Sequence, residues 1–281
     1  MNDNQGQKFV KMDKDKFLEE VLNLVESAKN RGIELRILGS LAVYLHIQNN
    51  PICLDLLSKL GRFEGSDQLF TDLDLICYSK QRKEVSKFFE ELGFKPDLMV
   101  NTLFGNKRLI FYHMNNSYHI DIFVDSLEFS HDIHFGNDTK NGRLSLDYPT
   151  ISITDLVLEK LQIHEINRKD LVDLFLIFLS HDVSLEPKSK EEINAKHIAN
   201  VLCDDWGFWY DALINLNKLK DFANNILVNV NLNKEIIDKF NERVDFMIKI
   251  LNEYPKTKKW IKRSKEGTKK PWYREVDELV R

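Results

Sequence analysis

The hydrophobic pattern of this sequence changes near residue 150, and that change limits the folds open to the chain. Before it, short apolar runs with strand-like alternation are interspersed with amphipathic helical segments. We therefore predict an α+β fold with an N-terminal domain over residues 1–150 and an all-helical C-terminal domain over residues 151–281. Beyond residue 150 the strongly periodic segments all have helical spacing, at 154–165, 168–180, 190–203, 206–219 and 234–253.

Helices and strands are predicted to alternate within the first 150 residues. Amphipathic helices are indicated over 12–31 and 80–92, and each stops at a glycine, Gly32 or Gly93. A further helical pattern covers 41–48. The strand-like segments are 33–38, 70–78, 108–113, 117–124 and 143–146.

Composition and charge exclude several classes of protein. With 281 residues and 43% hydrophobic residues, the chain has enough apolar material for a buried core. Its net charge of -4 gives no overall preference for nucleic acid or for an acidic membrane surface, and no apolar run is long enough to cross a bilayer. The first ten residues lack the apolar segment of a secretory signal, and the three cysteines form no CxxC pair. We expect a cytoplasmic protein with reduced thiols and no membrane association.

The strand at 33–38 runs directly into Gly39-Ser40, which opens the next helix. Glycine has no Cβ, so a ligand or another backbone segment can approach Gly39 closely. Ser40 is expected at the helix N-cap, where free N–H groups and the helix dipole favour an anion such as phosphate. An ordinary serine-capped turn has the same pattern. Neither GxGxxG nor GxxxxGK[ST] occurs, so a nucleotide site would need this different phosphate cradle.

Three aspartates occupy predicted strands. Asp72 and Asp74 are two residues apart and so project from one face, where their repulsion favours a hard divalent cation such as Mg²⁺. A solvated strand end is the alternative. Asp121 lies in the middle of a later apolar strand. If the two strands are neighbours, the three carboxylates can hold two metal ions about 4 Å apart for displacement at phosphorus, and Asp121 can help to deprotonate the attacking hydroxyl.

The order of these elements resembles the minimal nucleotidyltransferase superfamily, which has a polymerase-beta-like fold. The resemblance covers about residues 33–125: a strand, Gly39-Ser40 opening a helix, a strand with Asp72 and Asp74, and a later strand with Asp121. It implies a mixed sheet flanked by helices and dependence on Mg²⁺ or Mn²⁺. It also implies transfer of a nucleoside monophosphate from a nucleoside triphosphate to a small molecule, a tRNA or a protein.

A second resemblance extends into the helical half. Residues 156–161 (LVLEKL) and 168–174 (RKDLVDL) are similar to motifs of the AbiEii-like nucleotidyltransferases, which include abortive-infection toxins. This resemblance implies that Lys160 contacts the triphosphate and that Asp170 orients it or the nucleotide. The site would then lie in a cleft between the two domains. For a toxin, a cognate antitoxin would be the protein partner.

Several other residues have two interpretations each. Arg62 and Arg108 suit phosphate recognition but equally suit surface salt bridges. His119 shares the strand face of Asp121 and would either support the site or pack beside it. His131 and His134 flank Asp132, yet the sequence offers no further ligands to complete a zinc site.

The C-terminal segment 256–270 is strongly basic and has Trp260 and Trp272 within or near it. Such a segment either binds RNA or docks its tryptophans on the helical half, and we favour docking. For the whole chain, the alternatives to a nucleotidyltransferase are a catalytically silent nucleotide-binding regulatory module and an AbiEii-like toxin.

Overall fold

The computed structural model describes residues 12–60, 72–227 and 232–276, which form a mixture of helices and strands. The helices are α1 (Lys14–Asn30), α2 (Gly39–Ile47), α3 (Pro51–Leu60), α4 (Arg82–Glu91), α5 (Leu98–Leu103), α6 (Ile153–Leu161), α7 (Arg168–Ser180), α8 (Ala195–Leu202), α9 (Trp206–Leu227), α10 (Lys234–Glu253) and α11 (Lys258–Ser264). The strands are β1 (Leu35–Ile37), β2 (Asp72–Cys77), β3 (Lys95–Pro96), β4 (Arg108–Tyr112), β5 (His119–Val124), β6 (Ser126–Glu128), β7 (Asp132–His134), β8 (Val183–Ser184) and β9 (Ile193–Asn194). The predicted mixture of α and β structure is therefore confirmed.

Five strands form the main sheet, in the order β1-β2-β5-β4-β3. The sheet is mixed, because β2 and β5 are parallel while the other neighbouring pairs are antiparallel. In the parallel pair Asp74 lies opposite Asp121. Since side chains alternate between the two faces of a strand, this register places Asp72, Asp74 and Asp121 on one face, while Leu73 is buried on the other.

The predicted helix boundaries in this half have clear local causes. In α1 the side chain of Asp13 accepts hydrogen bonds from the backbone N–H groups of Asp15 and Lys16, which caps the first turn. The helix is followed by Gly32 at φ +75°, a left-handed conformation that glycine adopts without strain. Gly93 follows α4 in the same way, at φ +86°.

The structure differs from the predicted elements at several short segments. The strand predicted at 143–146 is wrong: residues Leu144–Leu146 form a 3₁₀ turn. The Arg143 side chain donates a hydrogen bond to Asp155, and the Leu144 N–H donates to the Tyr78 hydroxyl at 2.9 Å. The backbone here is therefore bonded to a side chain and not to a neighbouring strand. The segment 190–203 is helical only from Ala195, because Ile193 pairs with Val183 in a two-stranded sheet. No sequence pattern predicted α5, α11, β3, β6, β7, β8 or β9. Because β8 and β9 lie within residues 151–281, the prediction that this part of the chain is all-helical is wrong.

Two buried helices connect the later part of the chain to the sheet. All residues of α6 are buried, including Glu159 and Lys160. Helix α6 packs against α2, α7, α8 and α9, and α7 packs against α2, α3, α9 and α10. Because α2 begins at Gly39, this packing brings the polar residues of α6 and α7 towards the end of the sheet that carries the acids.

The cysteines and the helices also bear on the class of protein. Cys53, Cys77 and Cys203 are all buried and free, so none of them forms a disulfide. Within the described ranges, no helix combines the length and the apolar run that a bilayer crossing requires.

Candidate active site

Gly39 lies against Asp74 in a backbone conformation that favours glycine. Its backbone has φ +69°, and a Cβ added there would lie 2.7 Å from the Asp74 Oδ2 atom. The preceding residue, Leu38, donates its N–H to the Asp74 carbonyl at 3.0 Å. The turn from β1 into α2 is therefore built directly on the second acid of β2.

The predicted N-cap role of Ser40 is wrong. Helix α2 begins at Gly39, its N-cap residue is Leu38, and no side-chain hydrogen bond caps it. Ser40 lies inside the first turn and is partly exposed. The Gly39 N–H instead donates to Glu159 Oε2 at 3.1 Å, so a carboxylate from α6 meets the helix N-terminus. The position for which the sequence predicted a bound phosphate is occupied by the carboxylate of Glu159.

The three predicted acids lie together at the centre of the sheet, with Arg108 beside them. Asp121 is 5% exposed, and it accepts hydrogen bonds from Arg108 Nε at 3.2 Å and Nη2 at 2.7 Å. The Nε2 atom of His119 lies 3.6 Å from Asp121 Oδ2. Arg108 thus forms an ion pair, although with a buried acid rather than at the surface, and the pair fixes the orientation of Asp121. Phosphate recognition by Arg108 stays a prediction. Arg62 lies outside the described residues.

The electrostatics of this cluster favour a positive ligand. Burial raises the pKa of Asp74 well above its ordinary value, and the charges of Asp72, Asp121 and Glu159 raise it further, against a smaller opposing effect of Lys160. Burial also raises the pKa of Glu159. A divalent cation among these carboxylates would offset the repulsion that contributes to the raised pKa of Asp74.

Lys160 is a buried link between α6 and α7. Its Nζ atom lies 3.1 Å from an oxygen of Asp170, 3.1 Å from one of Asp173 and 3.7 Å from one of Glu159. The predicted pair Lys160 and Asp170 is thus brought together, and Glu159 connects it to Gly39 and the sheet acids. The sequence did not predict that Glu159 and Asp173 also lie beside Lys160. The available signal was that both lie in nearly continuous apolar helices, where an acid needs a partner.

A cavity of about 630 Å³ opens beside Glu159, which is within the size range of small-molecule sites. Its walls come from the loop after β6, from α6 and the turn that follows it, and from the C-terminal segment. The lining residues are Phe129, Ser130, Glu159, Gln162, Ile163, His164, Glu165, Tyr273, Arg274, Glu275 and Val276.

The remaining candidates have structural partners. His131 does not join His134 in a zinc site: its Nε2 atom lies 2.8 Å from Asp211 Oδ2. Trp272 Nε1 donates to the other oxygen of Asp211 at 2.9 Å. Trp260 meets Trp209 edge-on, with ring centroids 5.1 Å apart. The prediction that the basic C-terminal segment docks its tryptophans on the helical half is therefore confirmed.

No family model, curated protein or solved structure matches this chain.

Proposed function

We propose that this chain is a metal-dependent nucleotidyltransferase, which transfers a nucleoside monophosphate from a nucleoside triphosphate to an acceptor. The observation that carries the proposal is the set of Asp72, Asp74 and Asp121 on one sheet face, closed on one side by the Gly39 turn. The mixed sheet followed by buried helices is also the arrangement that the resemblance to this superfamily implies.

Asp72, Asp74 and Asp121 would hold Mg²⁺ or Mn²⁺. Two observations support the fit of these residues to a divalent cation. The pKa of Asp74 is raised by burial and by neighbouring carboxylates, and the missing Cβ of Gly39 leaves space beside Asp74 Oδ2. All the donors are oxygens, which hard divalent cations prefer. When bound, such ions would neutralise the triphosphate and stabilise the charge that develops during the transfer.

The protein groups have distinct roles in this reaction. The acceptor oxygen forms a bond to the α-phosphorus while the bond to the bridging oxygen breaks, and pyrophosphate leaves with that electron pair. Asp121, oriented by Arg108, accepts the proton of the acceptor hydroxyl. Lys160 supplies a buried positive charge next to the site.

The N-terminus of α2 would bind a phosphate oxygen through the Gly39 N–H. In the structure that N–H donates to Glu159, so a phosphate must displace the Glu159 carboxylate.

The test is nucleotide transfer by the Asp72→Asn variant. Purified protein is incubated with each of four α-labelled nucleoside triphosphates, Mg²⁺ and mixtures of small molecules, total RNA or proteins, and pyrophosphate release and labelled product are measured. We expect Asp72→Asn to lose about 10³-fold or more in rate, because charge stabilisation at phosphorus depends on this ligand. Asp221→Asn, on the exposed surface of α9, is the matched control and should retain full activity.

Two outcomes contradict the proposal. A normal rate for Asp72→Asn would exclude the acid cluster as the catalytic site. Metal-dependent nucleotide binding without any product, across all four nucleotides and all acceptor mixtures, would instead support a silent nucleotide-binding module.

A further inference from the structure

A second group of metal-ligating side chains lies away from the acid cluster. One ligand atom each from His46, His181 and Glu191 lies within 4.8 Å of the other two. His46 is in the last turn of α2, and His181 directly follows α7. These are the ends of α2 and α7 opposite to Gly39 and Asp170, so this group is separate from the proposed catalytic residues.

His181 offers a buried nitrogen that lacks a partner. Its side chain is 5% exposed, and its Nδ1 lies 2.9 Å from the Glu191 backbone carbonyl. A carbonyl oxygen only accepts, so Nδ1 carries the proton and Nε2 carries the lone pair. The Nε2 atom is buried and has no hydrogen-bond partner among the described residues. An imidazole whose other nitrogen donates to a backbone carbonyl is the form that binds metal ions in proteins.

His46 is held in place close to His181. Its side chain is also 5% exposed, its Nε2 atom lies 3.2 Å from the Ile151 carbonyl, and Thr150 Oγ1 is 3.0 Å from the same nitrogen. The rings of His46 and His181 meet edge-on, with centroids 5.8 Å apart. Burial lowers the pKa of both histidines.

The group has the negative charge that a divalent cation needs. Glu191 has a side chain that is 54% exposed, and its Oε2 atom lies 3.9 Å from the protonated Nδ1 of His181, so the carboxylate must turn towards Nε2 to share an ion with it. Asp147 is a second carboxylate at the edge of the group, with Oδ2 4.0 Å from His46 Nε2. Two cations oppose this charge: Lys190 pairs with the other oxygen of Asp147 at 2.7 Å, and Arg243 lies close enough to His181 to lower its pKa.

We propose that His46, His181 and Glu191 form a binding site for a Zn²⁺-class transition-metal ion. Two imidazoles and one carboxylate suit zinc, which accepts nitrogen and oxygen ligands, and leave a fourth position for water. Mg²⁺ prefers oxygen ligands alone, so it should favour the acid cluster over this site. The bound ion would join the end of α2 to the end of α7 and the loop that carries Glu191. The proposal does not depend on the nucleotidyltransferase assignment.

The test is metal binding to the full chain after chelator treatment, with excess Mg²⁺ present to occupy the acid cluster. Zn²⁺ is titrated by calorimetry, and Co²⁺ is titrated in its place to follow the visible absorption of its low-coordinate complexes. We expect one saturable site and a rise in Tm with Zn²⁺. Glu191→Gln should weaken binding by about tenfold to a hundredfold, and His181→Gln should abolish it.

The controls exploit exposed residues of the same types. His134→Gln and Glu186→Gln should both bind Zn²⁺ like the unmodified chain, since both side chains are exposed and neither belongs to the group. His181 is buried, so its variant can fail to fold, but Glu191 is exposed and its variant keeps the test decisive. The absence of a saturable Co²⁺ spectrum, or an affinity for Zn²⁺ that Glu191→Gln leaves unchanged, overturns the proposal.

Discussion

Asp74 and Asp211 are both acids in largely buried surroundings, but their environments are opposite. Asp211 is 1% exposed and receives hydrogen bonds from the side chains of His131, His164 and Trp272. Burial alone raises the pKa of Asp211, but these hydrogen bonds together outweigh it and lower that pKa. At Asp74 burial acts together with neighbouring carboxylates, and the pKa is raised.

The difference separates an acid whose charge is satisfied within the protein from one that our proposal assigns to a metal ion. The donors around Asp211 come from three separate parts of the chain, so its charge holds those parts together. The carboxylates around Asp74 have an excess of negative charge, which costs stability unless a cation binds. The predictions that follow test this distinction, from the largest effect to the smallest.

The largest effect is expected at Asp211. Asp211→Asn keeps the shape but removes the charge that two histidines and a tryptophan contact, so the free energy of unfolding should fall by about 3 kcal/mol. Urea denaturation followed by tryptophan fluorescence or circular dichroism measures this. Asp221→Asn, on the same helix but exposed, should change stability by less than about 0.5 kcal/mol. An equal effect of the two substitutions would show that the contacts of Asp211 contribute little.

Asp74→Asn should have the opposite sign. The folded protein disfavours the ionised form of Asp74, so the charge destabilises the fold wherever the unfolded chain would ionise, above the ordinary pKa of 3.8. We expect Asp74→Asn to raise the free energy of unfolding by about 1–2 kcal/mol at pH 8 in the absence of metal. Near pH 3, below the ordinary pKa, both states are largely protonated and the gain should nearly disappear. A loss of stability at pH 8 would contradict the raised pKa.

The smallest effect is the response to Mg²⁺. An ion that binds only the folded chain stabilises it, by about 1.4 kcal/mol at roughly ten times its Kd. Because the raised pKa of Asp74 makes protons compete with Mg²⁺ for the carboxylate, the rise in Tm with Mg²⁺ should become smaller as the pH is lowered, and EDTA should reverse it. Asp211→Asn should keep this response, whereas Asp74→Asn should lose most of it. A response that both variants retain would place the ion elsewhere.

Local patterns predicted the parts of the fold that short stretches of sequence determine. The periodicity of α1 and its glycine stop, the strands around Asp74 and Asp121, and the aromatic docking of the C-terminal segment were all predicted. Their signals lie within one element or at its end. The resemblance, rather than any pattern of spacing, suggested that Lys160 belongs near the site.

Contacts between distant segments were not predicted. The Gly39 N–H meets Glu159 across 120 positions of sequence, and nothing near either residue indicates that pairing. For the same reason the sequence pattern predicts that Ser40 caps α2, whereas no side chain caps this helix in the structure. The group of His46, His181 and Glu191 likewise depends on how α2 packs against α7. Sequence spacing describes the inside of an element, whereas these contacts depend on tertiary packing.

The pairing of β2 with β5 also determines where this chain can change its length. Asp121 lies directly opposite Asp74 in one register only, and a shift of one residue turns its side chain to the other face, since side chains alternate along a strand. A single-residue insertion or deletion between His119 and Asp121 would therefore turn the Asp121 side chain to the face opposite Asp74. The exposed turn at Asn115 can absorb the same change, because the register begins after it. Natural variants should therefore differ in length at the turn around Asn115 and keep the length of β5 unchanged.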